Sequence, residues 1–234
     1  MLKPERCTAR GGSMALNVGG RSLAFKEMRE MNAPWRTVLH LAKRCVLSRG
    51  ERIPLGRKLY FLERGKVRLT QQSLEGMEKI IWYIHEGCLF GETPFFDPMP
   101  SEGYFTCSVE SVVWAFSAQS LDIVRREHPD LLMNLAQSMA RKMRALSHQA
   151  ASLYLDSVLV RTCKFLAQRI VPGSDPPVAD VGISRQEMAA LLGVHRISLY
   201  RILRQQEENG LLGPFVNKRV TVLRPEEFFE IIRN

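Results

Sequence analysis

The chain has 234 residues, enough for one large domain or two ordinary ones, and its 45% hydrophobic and 24% charged residues describe a globular protein. No run of eighteen apolar residues offers a membrane span, and a net charge of +9 favours an anionic partner such as nucleic acid. The five cysteines are scattered without a Cys-x-x-Cys pair, which argues against a zinc ribbon or a clustered iron–sulfur site.

In chain order, residues 1–30 begin "MLKPERCTARGGSMALNVGG", which is basic and lacks the apolar core of a secretory signal. This segment reads as a loose tail on a cytoplasmic protein, with Cys7 as its one reactive-thiol candidate. Cys45, Cys88, Cys107 and Cys163 read as reduced, mostly buried thiols. Residues 31–118 carry short strand-like runs punctuated by glycine: "KLYFLERGKVRLT" with a Glu-Arg-Gly turn, "QQSLEGMEKIIWYI" with a turn at Glu75-Gly76, and "SVESVVWAFS". Strands every eight to twelve residues with glycine turns predict a small β-barrel or β-roll.

Residues 119–156 change texture. Pro129 stands where a helix starts, and Leu132, Leu135, Met139, Met143, Leu146, Ala150 and Leu153 then recur at steps of three and four. This narrow seam is expected to pair with its copy in a parallel homodimer; packing of one helix on its own β-roll is the alternative. Residues 157–234 open with a helix in "DSVLVRTCKFLAQRIV", stopped by "PGSDPP".

A capping box, Ser184 with Glu187, starts the next helix, and Gly193 ends it after little more than two turns. "GVHRISLYRILR" follows at once. Leu199, Ile202 and Leu203 share one stripe of this second helix, while Arg196, Tyr200, Arg201 and Arg204 lie opposite. Two short helices joined by a tight glycine turn make a helix-turn-helix, and "GPFVNKRVTVL" reads as a strand, an Asn-Lys turn and a strand, a small wing. Most of the chain's positive excess lies N-terminal to this region, so local clustering carries the DNA argument. The expected interface is Ser184, Arg185, His195, Arg196, Ile197, Ser198, Tyr200, Arg201 and Arg204. Arg196 and Arg201 are placed to bond guanine edges, Ile197 to pack on a thymine methyl, and His195, Ser198 and Arg204 to hold phosphate.

With "CLFGE" before the long helix and "SRQEMAALLGVHRISLYRIL" after it, the chain resembles the Crp/Fnr superfamily of bacterial transcription regulators over about residues 35–234. The resemblance implies an α+β fold: an N-terminal β-roll of the cyclic-nucleotide-binding type, a long dimerisation helix and a C-terminal winged helix-turn-helix. It also implies a homodimer on a two-fold symmetric operator, RNA polymerase as a partner, and a small-molecule effector in the β-roll. Ile197 replaces the glutamate usual in the family's recognition helix, which shifts the expected half-site; this substitution and "GVH" look like CprK-type regulators. The segment "ERIPLGRKLY" is a few residues short of the family pattern.

Gly91 and Glu92 match the family's Gly-Glu pair, but Gly103 and Tyr104 stand where its phosphate-binding Arg-Ser pair belongs. A buried cyclic phosphate without a cation is costly, so cyclic AMP is not the expected effector. Trp82, Phe90, Gly91, Glu92, Thr93, Gly103 and Tyr104 are the expected effector residues, and a flat aromatic or phenolic ligand is favoured. Haem is the alternative, with His85, Cys88 or His40 as axial ligand. No Walker loop, His-Glu-x-x-His or Gly-x-Ser-x-Gly is present, so no enzyme is expected, and a module binding only protein is the more distant rival.

Overall fold

The computed structural model describes residues 23–54, 56–97, 99 and 103–233; Cys7 lies outside them. Helix α1 (Leu23–Asn32) leads into 3-10 turns over Ala33–Leu41, which bury Trp35 and Val38. The expectation of a loose tail reaching residue 30 is corrected here. Met28 is buried in the β-roll core, so this short helix is held by tertiary packing.

The roll is built from β1 (Lys43–Leu47), β2 (Arg52–Ile53), β3 (Leu59–Arg64), β4 (Lys66–Gln72), β5 (Glu78–His85), β6 (Leu89–Phe90), β7 (Gly103–Cys107) and β8 (Ser111–Phe116). Helix α2 (Glu92–Phe96) sits between β6 and β7. The strands form two antiparallel sheets, in the orders β1-β8-β3-β6 and β2-β7-β4-β5. The Glu-Arg-Gly turn joins β3 to β4 as expected. Gly65 has φ 106°, and a Cβ there would fall 2.4 Å from Ser111 Oγ, so no other residue fits without a shift. Alternation along β3 feeds two cores. Tyr60 and Leu62 pack between the sheets with Val67, Phe90 and Phe105, while Leu59 and Phe61 face Trp35, Phe116 and the helices beyond.

The segment read as one dimerisation unit is two helices, α3 (Ala118–Glu127) and α4 (Pro129–Leu155). Ser117 caps α3 by accepting from Ser120 N at 3.1 Å, and Pro129 occupies the first turn of α4, where its missing N–H costs nothing. At 27 residues α4 is about 40 Å long. Its first half is spent on its own protomer: Leu135 is 3% exposed in the core with Leu121 and Val124, and Met139 packs against the same cluster. Leu135 is therefore no dimer residue, because the sheet behind it takes up its side chain. Leu132 is half-buried, whereas Met143, Leu146, Ala150 and Leu153 stay exposed on the second half.

Helix α5 (Val158–Ala167), β9 (Val178–Asp180), α6 (Arg185–Leu192), α7 (Arg196–Glu208), β10 (Arg219–Thr221) and α8 (Pro225–Arg233) complete the chain around one core of Cys163, Leu166, Met188, Leu199, Leu212 and Phe228. The Asn-Lys turn is present, with φ 50° at Asn217 and 62° at Lys218, as a tight hairpin of the I′ kind needs. Its strands are corrected. β10 pairs with β9, and the turn's leading side meets the returning chain through isolated bridges, Leu212–Val222 and Val216–Arg219, rather than as a strand. Helix α8, which the wing reading did not include, closes the core with Phe228 and Ile232.

Candidate DNA-reading and effector sites

The capping box forms as read: Ser184 Oγ accepts from Glu187 N at 3.2 Å, and the Glu187 carboxylate accepts from Ser184 N at 3.1 Å. Gly193, at φ 64°, ends α6 in the left-handed conformation and turns the chain into α7. A His195 ring nitrogen accepts from Ile197 N at 3.3 Å, so His195 caps α7 itself. Leu199, Leu203 and Gln206 are buried, and Arg196, Ile197, Ser198, Tyr200, Arg201 and Arg204 are exposed on the other side.

Those exposed residues are not equally available. Arg196 and Arg201 make no ion pair among the described residues, whereas Arg204 pairs with Glu208 one turn on at 2.8 Å. Ile197 is 56% accessible, an aliphatic side chain presented outward beside these arginines. Arg185 begins α6 and is engaged with both α7 and the wing. Its Nη2 donates to the Phe215 carbonyl at 3.0 Å, and its guanidinium lies over the Tyr200 and Phe215 rings.

The roll holds a cavity of about 160 Å³. Six of the residues read as effector contacts, Trp82, Phe90, Gly91, Glu92, Thr93 and Gly103, line it. Tyr104 does not. Gly103 and Phe105 point inward beside Gln71 and Leu69, so the intervening Tyr104 is carried to the opposite face. There its hydroxyl donates to Glu78 at 3.0 Å, and the Arg52 guanidinium sits 4.1 Å from its ring centroid. Phe90 is mainly core, stacked on Tyr60 and edge-on to Phe105.

Sequence reasoning missed Lys142. The absence of a cation holds for the loop after Glu92, but not for the cavity. Lys142 arrives from α4, donating to the Leu89 carbonyl at 2.7 Å and to the Glu92 carboxylate. The two side chains are only 16% and 10% exposed. Lys142 is one of several basic residues on α4, and only the packing of α4 on the roll distinguishes it from Arg141 and Arg144, which are exposed.

The three haem-ligand candidates do not come together. His40 is exposed beside the Thr37 carbonyl, and none of His40, His85 and Cys88 lines the cavity. Burial, reinforced by Lys66, lowers the His85 pKa to about 4, and burial raises that of the Cys88 thiol. Among the described residues no group of three His, Cys, Asp or Glu side chains is arranged to hold a metal. The cavity is also below the ~300–1,000 Å³ of drug-sized pockets. These residues do not fit a haem.

The reading domain rests on the sensing domain. Lys79 on β5 donates to the Leu191 carbonyl near the end of α6, and the Tyr83 hydroxyl reaches Glu187 at 3.5 Å. Desolvation, with Arg161 adding to it, lowers the Lys79 pKa to about 8; desolvation and Glu187 push Tyr83 up to about 12. Trp82, between these two residues in sequence, lines the cavity in the roll. Among the described residues no helix is long and apolar enough to cross a membrane.

Comparison with known proteins agrees with this division. Residues 40–128 match the cyclic nucleotide-binding domain family, and residues 160–230 match the Crp-like helix-turn-helix domain. The chain is similar to the cAMP-activated global transcriptional regulator CRP of Salmonella typhimurium, 26% identical over 180 residues, covering 74% of this chain and 82% of that protein. It is also similar to the cAMP-activated global transcriptional regulator Vfr of Pseudomonas aeruginosa, 27% identical over 180 residues, covering 74% and 83%. Among solved structures, CprK complexed with OCPA superposes with a TM-score of 0.69 at 18% identity, over 85% of this chain and 93% of that one. With a β-roll of the cyclic nucleotide-binding kind, a long helix and a Crp-like helix-turn-helix in that order, the chain belongs to the Crp/Fnr family of DNA-binding transcription regulators.

Proposed function

We propose that this regulator acts as a homodimer whose two α7 helices read the half-sites of an inverted repeat, under control of a small effector in the β-roll. The observation that carries the reading is the exposed face of α7, where Arg196 and Arg201 make no ion pair among the described residues and stand beside an exposed Ile197. A planar guanidinium bonds guanine O6 and N7 together, and an aliphatic side chain suits a thymine methyl. Two-fold symmetry sets the half-site centres 34–36 Å apart, about one helical turn. RNA polymerase is the further protein partner in this reading.

For the effector, the cavity supports a small aromatic molecule with one acidic oxygen. Lys142 and Glu92 neutralise each other, so an anionic group enters by drawing the Lys142 ammonium from Glu92. Trp82, Phe90 and Phe105 supply apolar walls. A cyclic nucleotide lacks its second cation there, and its volume is poorly matched to about 160 Å³.

The test is operator selection from a random duplex pool, followed by competition binding with Arg196→Ala and Arg201→Ala. Each variant is expected to lose about 1–3 kcal/mol of discrimination at one operator position. Retention of wild-type selectivity by both would remove base reading from α7.

A further inference from the structure

Arg185 is the first residue of α6, where the helix dipole disfavours a cation. The structure offsets this with one acceptor and two aromatic faces. The Phe215 carbonyl takes the Nη2–H at 3.0 Å, and the guanidinium carbon lies 5.0 Å from the Phe215 ring centroid and 5.4 Å from that of Tyr200. Both are within cation–π range. Phe215 leads into the wing turn, Tyr200 stands on the exposed side of α7, and Arg185 begins α6. One side chain thus joins the three parts of the reading domain across a groove of about 300 Å³ between α7 and the wing.

The wing tip beyond Phe215 is presented outward. Val216, Asn217 and Lys218 are exposed, and the Lys218 carbonyl accepts from Val181 N at 2.8 Å, which ties the backbone of the tip to the chain after β9. Arg219, the neighbouring cation, is already opposite Asp180 at 3.5 Å.

We propose that Arg185 is a positioning residue which sets the wing against the recognition helix, and that its effect on DNA affinity passes through Lys218 rather than through a phosphate contact of its own. This rests on the DNA-binding reading above. A lysine at position 185 keeps the charge but loses the planar fork that lies over two rings, so it does not substitute for arginine in this role.

The experiment is a double-mutant cycle on DNA binding, with Arg185→Ala, Lys218→Ala, their combination and Arg185→Lys. Each is titrated over a range of salt against a duplex selected by the wild-type protein, after unfolding midpoints verify that each variant folds. Lys218→Ala should lower the steepness of log K against log salt by about 0.9, the value for one phosphate contact. Arg185→Ala and Arg185→Lys should each lower it similarly, and Arg185→Ala should change nothing further once Lys218 is alanine. Additive losses, wild-type binding by Arg185→Lys, or no effect of Lys218→Ala would each overturn the proposal. Failure of the wild-type protein to bind any duplex would instead remove the DNA-binding reading itself.

Discussion

The Lys142–Glu92 pair makes the residue-scale argument most clearly. Two opposite charges, 16% and 10% exposed, are held between the roll and α4. Desolvation makes such a pair a poor source of net stability, yet removing one partner strands the other. Glu92→Gln or Lys142→Met alone should therefore cost about 3 kcal/mol, and the double replacement should recover part of that loss. Urea unfolding of the four proteins checks it; equal costs for the double and the worse single would mean the charges do not compensate each other. The sequence marked Glu92 and missed Lys142 for a physical reason. A glutamate after glycine in a family motif is locally distinctive, whereas a lysine on a long basic helix acquires its role only from what the helix packs against.

At the scale of the element, α4 divides into an inward and an outward half. The same three-and-four spacing serves both, because a helix whose stripe begins in a core emerges from it once the sheet ends. Met143 and Leu146 are 69% and 40% exposed and belong to none of the core clusters among the described residues. Leu146→Glu should shift the protein from dimer to monomer in sedimentation velocity and weaken operator binding, since half-site pairing is lost. Leu135→Glu should instead prevent folding, because that side chain lies inside the protomer. A dimer that survives Leu146→Glu would move the interface away from this face.

For the whole molecule, β5 links the cavity in the roll to the helix-turn-helix. Lys79 and Tyr83 touch α6, and Trp82 faces the cavity between them. Lys79 carries a pH signature of this contact. Its pKa is about 8 in the folded protein against 10.5 when solvated, so between these values the unfolded chain binds more protons. Stability from this group therefore rises with pH from about 8 towards 10.5 and is lost as pH falls through 8. A neutral amine still donates to the Leu191 carbonyl, so the contact survives deprotonation. Wild type should gain stability relative to Lys79→Met over that interval in chemical unfolding. Parallel curves for the two proteins would show that Lys79 stays solvated.

The sequence by itself determined what depends on neighbours along the chain. Ser184 with Glu187, Gly193 at the turn, Pro129 at a helix start, the Glu-Arg-Gly hairpin and the Asn-Lys turn are all local devices, and each forms where it was read. The exposed basic face of α7 follows from the same logic, because helical periodicity separates it from Leu199 and Leu203. Tertiary structure alone decided the rest. It drew Lys142 to Glu92, turned Tyr104 away from the cavity, gave Met28 a core to pack into, spent Arg185 on the wing and split the α4 seam in two. Each of these rests on contact between residues far apart in the chain, where periodicity fixes which side of an element a residue occupies but not what that side meets.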